Sequence, residues 1–451
     1  MVRKCACVSF AAVLALALVL LVGCPGTTGG GGGGGGTDTN DDGGNGDGNG
    51  DGTDGGMTDG DGTDGNGDGD AVTLTPVKTN IDVHNGGRIA VGDDLLVYGY
   101  GGFAGVDYII PSANDTEGRG LPDGDTFVAG SFAVAGKKIA LVGDFLVTIF
   151  DTEAETATEI PGSQIRLVNV PAGLYAQGHI TADGPYIACR NDASSNGSLL
   201  VKVIDVSGDT PQVLTFTNNP ATSVDHIAVD GDARRLAVAA GDSFYIYDID
   251  DPSAPPAVYV TNSSGIGDNI FTFDGGYVFY EDGEAFGNAM FLNTVDGSFT
   301  QLTANPSAGE QCHNGGTFVY MLDRDAGDSN GNDSRSAIGT VPGPGATLAG
   351  DSEIDGSTTN NGFFGWSQAC SVTPDGAFAF LSGTGSIGSG EFLQVSTGGA
   401  FTLPADPDGS SEYGLPATDV VTSATLVGFK TGDGTTAGAS TKVGYIRLGN
   451  R

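Results

Sequence analysis

Four histidines, a handful of cysteines and a large supply of aspartate are the side chains with which this chain could do chemistry. His179 and His226 each stand four residues before an Asp-Gly pair, Asp183-Gly184 and Asp230-Gly231, with Gln177 and Asp225 close by. Imidazole and carboxylate together suit a divalent metal, so His179, His226 and Asp225 form a candidate set. The same side chains would serve equally as polar lining hydrogen-bonded to water. His84 and His313 each directly precede an Asn-Gly pair, where hydrogen bonds to the turn would account for them. Asp323, Asp325, Asp328 and Asn330, with Asn332 and Asp333, supply in one short stretch the hard oxygens that Ca²⁺ takes, and a solvated acidic loop is the competing reading. No Cys-x-x-Cys spacing occurs, so a zinc or haem site is not indicated. Neither a Ser/His/Asp set, nor an isolated carboxylate pair, nor a phosphate loop stands out, and no catalytic residue is assigned. A divalent cation is the one cofactor the residues suggest.

The elements that position these residues are set by a recurring turn. It reads Asp or Asn, then Gly, then an apolar, β-branched run. Examples are Asn85-Gly86 before RIAV, Asp183-Gly184 before PYIAC, Asp230-Gly231 before DARRLAVA, Asp274-Gly275 before GYVFY, Asn314-Gly315 before GTFVYM and Asp375-Gly376 before AFAFL. Ala135-Gly136 before KKIALV completes the series. A period in the 40s means one supersecondary unit repeated. An alternating strand precedes each turn, and a second, a third (FLVTIFD, LLVKVID, SFYIYDI) and a weaker fourth (TATEI, QVLTFT, AVYVT) follow. Four antiparallel strands on this period make a propeller blade, whose two bare faces are buried only by stacking on neighbours. The chain is therefore expected to be all-β, an eight-bladed β-propeller with seven blades as the alternative. The eighth unit is degenerate, VVTSATLVGF then TKVGYIRL, and the early stretch AVTLTPV is expected to close the ring as a strand of the last blade. The segment from Asp323 to Gly362 reads as an insertion without strand pattern. Cys312 and Cys370 fall on inner strands of consecutive blades, where a disulfide is conceivable, although Cys312 lies nearer its turn. Cys189 ends a second strand and reads as a buried small apolar residue.

Three segments divide the chain: 1–23, 24–70 and 71–451. The first has a basic start, Arg3-Lys4, and an apolar run to Val22-Gly23, the pattern of an export signal, with an uncleaved span as the competing reading. Its junction Leu21-Val22-Gly23-Cys24 resembles the lipobox of bacterial lipoproteins, which implies lipidation of Cys24. The resemblance implies an extracytoplasmic protein tied to the membrane through that lipid. Pro25 in place of Asp tilts the address towards the outer membrane or cell surface. Residues 25–70 are Gly, Asp, Asn and Thr with almost nothing apolar, and are expected to stay disordered as a tether. Its DGNGDG pieces match half of an EF-hand loop, but Thr58 and Thr75 stand where the bidentate Glu belongs. A formal charge of −38 repels phosphate backbones, so nucleic acid is excluded as a partner; cations or basic surfaces are the better candidates, and solubility in a salty habitat is the competing and simpler reading of the charge.

Phe244-Tyr245-Ile246-Tyr247-Asp248-Ile249-Asp250-Asp251-Pro252 resembles the LVIVD repeat of bacterial surface propellers, and Val203-Ile204-Asp205-Val206-Ser207 is a looser copy. TADGPYIAC and TPDGAFAFL are similar to TolB-type and WD-like propeller repeats. These resemblances imply the fold and an extracytoplasmic setting, and carry no catalytic motif. The expected function is a cell-envelope lipoprotein whose propeller is a binding scaffold for a protein, glycan or cation. The alternative is a propeller hydrolase or lyase acting on polysaccharide at the channel mouth. An enzyme should show a deep pocket with convergent carboxylates or His of perturbed ionisation; a binding module should show a shallow, uneven face.

Overall fold

The computed structural model divides the chain into units at Gly69/Asp70 and describes residues 74–449, apart from a series of connecting segments of which 164–179, 354–366 and 341–351 are the longest. Apart from one 3₁₀ turn at Pro111–Ala113, every regular element among the described residues is a strand. Strand β1 (Pro76–Val83) comes first. The first blade is β2 (Ile89–Gly92), β3 (Leu95–Gly99), β4 (Val106–Ile109) and β5 (Arg119–Gly120). The second is β6 (Phe132–Ala135), β7 (Lys138–Val142), β8 (Val147–Asp151) and β9 (Thr156–Glu159). The third is β10 (Ile180–Asp183), β11 (Tyr186–Arg190), β12 (Val201–Asp205) and β13 (Gln212–Thr215). The fourth is β14 (His226–Asp230), β15 (Arg235–Ala240), β16 (Ser243–Asp248) and β17 (Ala257–Val260). The fifth is β18 (Ile266–Asp274), β19 (Tyr277–Asp282), β20 (Asn288–Asn293) and β21 (Phe299–Gln301). The sixth is β22 (Cys312–Asn314), β23 (Thr317–Asp323), β24 (Ser334–Thr340) and β25 (Ser352–Glu353). Three strands follow, β26 (Ser367–Val372), β27 (Ala379–Thr384) and β28 (Glu391–Ser396). The last sheet is β29 (Asp419–Thr422), β30 (Leu426–Thr431) and β31 (Thr441–Arg447), with β1 paired outside β31.

Seven sheets thus have four strands and one has three, all antiparallel, and all but the last, whose order is β1-β31-β30-β29, follow the order of the chain. Each sheet packs on the next and the last packs on the first, which makes the molecule a β-propeller. The expected closure by the N-terminal strand is present: Pro76 lies opposite Ile446 and Val83 opposite Thr441. Thr79 Oγ1 donates to the Val443 carbonyl at 2.7 Å, and Thr441 Oγ1 donates to the Val83 carbonyl at 2.9 Å.

Sequence explains the burial gradient across a blade. Middle strands such as LLVYG (β3) and LVGFKT (β30) are buried along their length, because neighbouring blades cover both faces. The outer strand TATE (β9) is exposed at all four positions and carries hydroxyls and a charge. The core is correspondingly a set of slabs between blades. Phe132, Ile139 and Phe150 pack on Leu95, Val97 and Tyr108 of the first blade, and Phe244 packs on Val278, Tyr280 and Leu292 of the fifth.

Two expectations are corrected by the strands. The turn of the first blade is Asp93-Asp94, between β2 and β3, and not Asn85-Gly86, whose pair lies outside the described residues. Asp94, the second turn residue, takes the left-handed conformation there (φ 52°), whereas the third blade uses Gly184 at the first turn position (φ 53°), so no Asp-Gly or Asn-Gly pair marks the first turn. His84 is therefore not the counterpart of His313. The segment after Asp323 is also not free of strands. β24 pairs with β23 over seven residues and β25 pairs with β24, completing the sixth blade. The ladder is made by backbone groups, so a stretch as poor in apolar residues as SRSAIGT can still form it.

Candidate binding site at the mouth of the channel

The turn between the first and second strand of each blade points to one end of the ring. There the turns enclose a cavity of about 680 Å³. Asp93, Asp183, Asp232 and Asp274 line it from the first, third, fourth and fifth blades, with Asn314 from the sixth and Ser423 from the last. Lys137 and Lys138 lie on the rim of the second blade but are engaged elsewhere. Lys137 pairs with Glu153 at 2.5 Å, and Lys138 donates to the Val206 carbonyl at 2.8 Å.

Three aspartates that end inner strands do two things at once. Each accepts a backbone N–H from the turn of the following blade: Asp183 from Gly231 at 2.6 Å, Asp230 from Gly276 at 3.3 Å, Asp274 from Gly316 at 3.4 Å. Asn314 continues the series by donating to the Val372 carbonyl at 3.3 Å, and Ser423 Oγ closes it on the Gly92 carbonyl at 2.9 Å. Gly231 is required by this approach, since a Cβ there would sit 2.6 Å from the Asp183 carbonyl oxygen. The same packing gathers negative charge. Burial raises the carboxyls of Asp183 and Asp230, and repulsion from neighbouring aspartates adds to it. Asp274 is pushed up to about 6 by burial, with the charges of Asp230, Asp183 and Asp232 reinforcing the shift against the Gly316 N–H. The signal in the sequence that points to the site is the recurrence of Asp183, Asp230 and Asp274 at one repeat position, the last residue of the inner strand, since a ring of blades carries equivalent positions to one rim.

The histidine candidates are placed differently. His226 opens β14 and stacks on Phe271 of the next blade, centroids 5.6 Å apart, while the carboxylate of Asp225 accepts the Gly241 N–H at 2.7 Å. His179 lies outside the described residues, and among those described no three His, Cys, Asp or Glu side chains gather as metal ligands. Of the Ca²⁺ candidates, Asp323 ends β23, and Asp325, Asp328 and Asn330 lie outside the described residues, as does Cys24.

His313 is not a turn-stabilising residue. It is buried edge-on against Phe291 and Phe279, with centroids at 5.2 and 6.3 Å, and Asp274 Oδ2 lies 4.0 Å from its Nε2. Neither ring nitrogen has a hydrogen-bond partner among the described residues, and burial pulls its pKa down to about 3. The ring is therefore neutral at physiological pH. At the far end of β2, Arg88 donates to the Ile180 carbonyl of the third blade at 3.3 Å and lies over the Phe132 ring. The cavity at the turn end is thus acidic, and the Arg88 guanidinium is not among its lining residues.

Cys312 and Cys370 are paired as a disulfide, with Cα atoms 5.8 Å apart. Their unequal distance from the turn is compensated by turn length. Asn314 lies opposite Thr317 across a two-residue turn, whereas Val372 lies opposite Ala379 across a six-residue one. Counted from the strand ends, both cysteines hold the same position. Cys189 is a buried thiol on β11, pushed up to about 12 by burial.

No family model and no curated protein matches the chain. Solved structures with a similar shape include a chain of a mitotic checkpoint complex, at 10% identity and TM-score 0.42, covering 83% of this chain and 94% of that one. The WD40 repeats of RRP9 match at 10% identity and TM-score 0.42 over 70% of this chain and 94% of that one. YCF48 bound to D1 peptide matches at 11% identity and TM-score 0.42 over 84% and 96%.

Proposed function

We propose that this chain is a lipid-anchored envelope protein whose propeller is a binding module, and that its ligand presents a cationic group to the acidic mouth of the channel. The carrying observation is the convergence of Asp93, Asp183, Asp232 and Asp274 from four blades on one cavity, where burial and mutual repulsion raise the proton affinity of Asp183 and Asp274. A positive group entering there relieves that repulsion, so binding energy is available from charge already paid for by the fold. The engaged rim lysines leave the mouth with unbalanced negative charge. The envelope address rests on the resemblance of Leu21-Val22-Gly23-Cys24 to a lipobox, and the kinship with LVIVD and TolB-type propellers on the third strands and turns of the sequence. The partner in this reading is an envelope protein or glycan bearing amines, or a free cation.

The test is calorimetric titration of the full-length protein with a lysine-rich peptide, spermidine and Ca²⁺ in turn, at two salt concentrations. Binding by one of them, weakened at least tenfold in Asp183→Asn/Asp232→Asn and falling with salt, supports the reading. Equal binding by the double variant refutes it.

A second reading is favoured by one observation. Asp274 holds its proton up to about pH 6, as a general acid of a polysaccharide hydrolase or lyase needs. Its Oδ2 is occupied by the Gly316 N–H, and Asp230 is fully buried, which favours the binding module. Release of reducing ends from polysaccharides, lost in Asp274→Asn, would decide for the enzyme.

A further inference from the structure

Among the described residues, the exposed large hydrophobic side chains are Val258, Val260 and Val295, and all three surround one contact. Val258 and Val260 flank Tyr259 on β17, and Val295 follows Thr294, whose carbonyl accepts the Tyr259 hydroxyl at 2.6 Å. Val258 is 51% exposed and Val260 56%. β17 is the outermost strand of the fourth blade. Its pairing with β16 sets Val260 opposite Ser243 and Val258 opposite Tyr245, and the Thr261 N–H donates to the Asp242 carbonyl at 2.8 Å. Antiparallel pairs alternate between bonded and non-bonded positions. Thr261, Tyr259 and Ala257 therefore face β16, and the N–H and C=O groups of Val258 and Val260 face away from the sheet. The two residues with unused backbone groups are the two with exposed apolar side chains.

Outer strands are ordinarily guarded by charge, proline or a bulge. On the second blade the outer strand ends in exposed Glu159. Pro255-Pro256 guard only its start: the four residues AVYV of β17 carry neither charge nor proline, and the regular register gives no bulge. The surroundings are acidic. Asp242, Asp248, Asp250, Asp251 and Asp296 are exposed around the strand, and Arg234 is engaged with Asp250.

From this juxtaposition we propose that β17 is a docking edge that takes an extended segment of a partner protein, added as an antiparallel fifth strand, with apolar side chains alternating with basic ones. Strand addition supplies main-chain hydrogen bonds, and the alternating side chains supply specificity. The apolar residues cover Val258 and Val260, and the basic ones meet the aspartates. A second copy of this chain would set those aspartates against their own kind, which disfavours edge-to-edge self-pairing.

The probe is a seven-residue peptide alternating lysine and valine, titrated against the full-length protein and followed by anisotropy and amide hydrogen exchange. The expected result is saturable binding, with the amides of Val258 and Val260 slowed at least tenfold by the peptide. Val258→Pro removes an N–H that β16 does not use, so the ladder within the blade survives while peptide affinity falls at least tenfold. The slowed exchange at Val258 and Val260 persists in Asp183→Asn/Asp232→Asn, where the mouth no longer attracts the lysines, which separates the edge from the mouth. In the Asp183→Asn/Asp232→Asn background, equal affinity for a glutamate–valine peptide, no protection at Val258 and Val260, or unchanged affinity on adding Val258→Pro overturns the proposal. So does concentration-dependent dimerisation abolished by Val258→Pro, since the occupant would then be a second copy.

Discussion

Asp274 offers the sharpest test of how the turn aspartates work. Its carboxyl titrates near 6 in the folded protein, against an ordinary 3.8. A raised folded pKa means that the fold prefers the protonated acid. Stability is therefore gained as the pH falls through about 6, is complete below 3.8, and is forgone at neutral pH. At about 1.4 kcal/mol per pH unit, the difference amounts to roughly 3 kcal/mol at pH 7.5. Its side chain is 19% exposed, so solvent screening trims this only in part. Asp274→Asn keeps an oxygen for the Gly316 N–H and removes the charge that Asp230, Asp183 and Asp232 repel. The variant should be more stable than wild type by about 1–3 kcal/mol at pH 7.5 and equal to it at pH 3.5. Urea unfolding of both proteins across that pH range measures the difference. A variant no more stable than wild type at pH 7.5 would show that the carboxylate is stabilised by its turn contacts, and the charge-gathering reading of the mouth would fail.

His313 should tilt the same curve the other way. Its folded pKa of about 3 means that the unfolded chain takes up a proton below pH 6.5 that the fold refuses. His313→Phe, set among Phe279, Phe291 and Phe318, is expected to gain about 2 kcal/mol over wild type at pH 5 and little at pH 7.5, read by the same urea titration. The Cys312–Cys370 bridge closes a span of 58 residues, so Cys370→Ser should cost up to about 4 kcal/mol in thermal or urea unfolding. Non-reduced mass spectrometry should find that pair joined and Cys189 free. Gly231→Ala drives a methyl group into the Asp183 carbonyl and should lower stability by about 2 kcal/mol or more, seen as a drop in Tm without loss of blade content by circular dichroism.

Much of the fold was legible because propeller blades repeat. The period, the apolar middle strands and the closing strand near Pro76 all follow from patterns a few residues long. The first turn was misread because Asp94 adopts a left-handed conformation without glycine, which composition does not announce. β24 and β25 were missed because their ladder is carried by backbone groups. Of the site, the histidines drew attention as reactive side chains, yet His226 stacks on Phe271 and His313 is walled in by aromatic rings. The acidic mouth escaped notice for the opposite reason. Asp183 and Asp274 lie 91 residues apart in the chain, and only closing the ring brings them to one rim. The exposed edge of β17 was likewise invisible, since AVYVT reads like any other fourth strand until its neighbours are known.

The pairing of β1 with β31 also sets a timetable. Val83 and Thr441 are 358 positions apart, so the first strand to leave the ribosome waits for the last before it acquires a partner. Until then the intermediate is an open arc with two raw ends, the first blade and the three strands β26–β28, each lacking the neighbour that β29–β31 will provide. The ends can meet only once, when the final sheet slides between them and Ser423 reaches the Gly92 carbonyl. Ring closure thus depends on contacts of very high sequence separation, the kind that form slowly. A chain stopped before Thr441 would carry nearly all of its blades and still be unfinished.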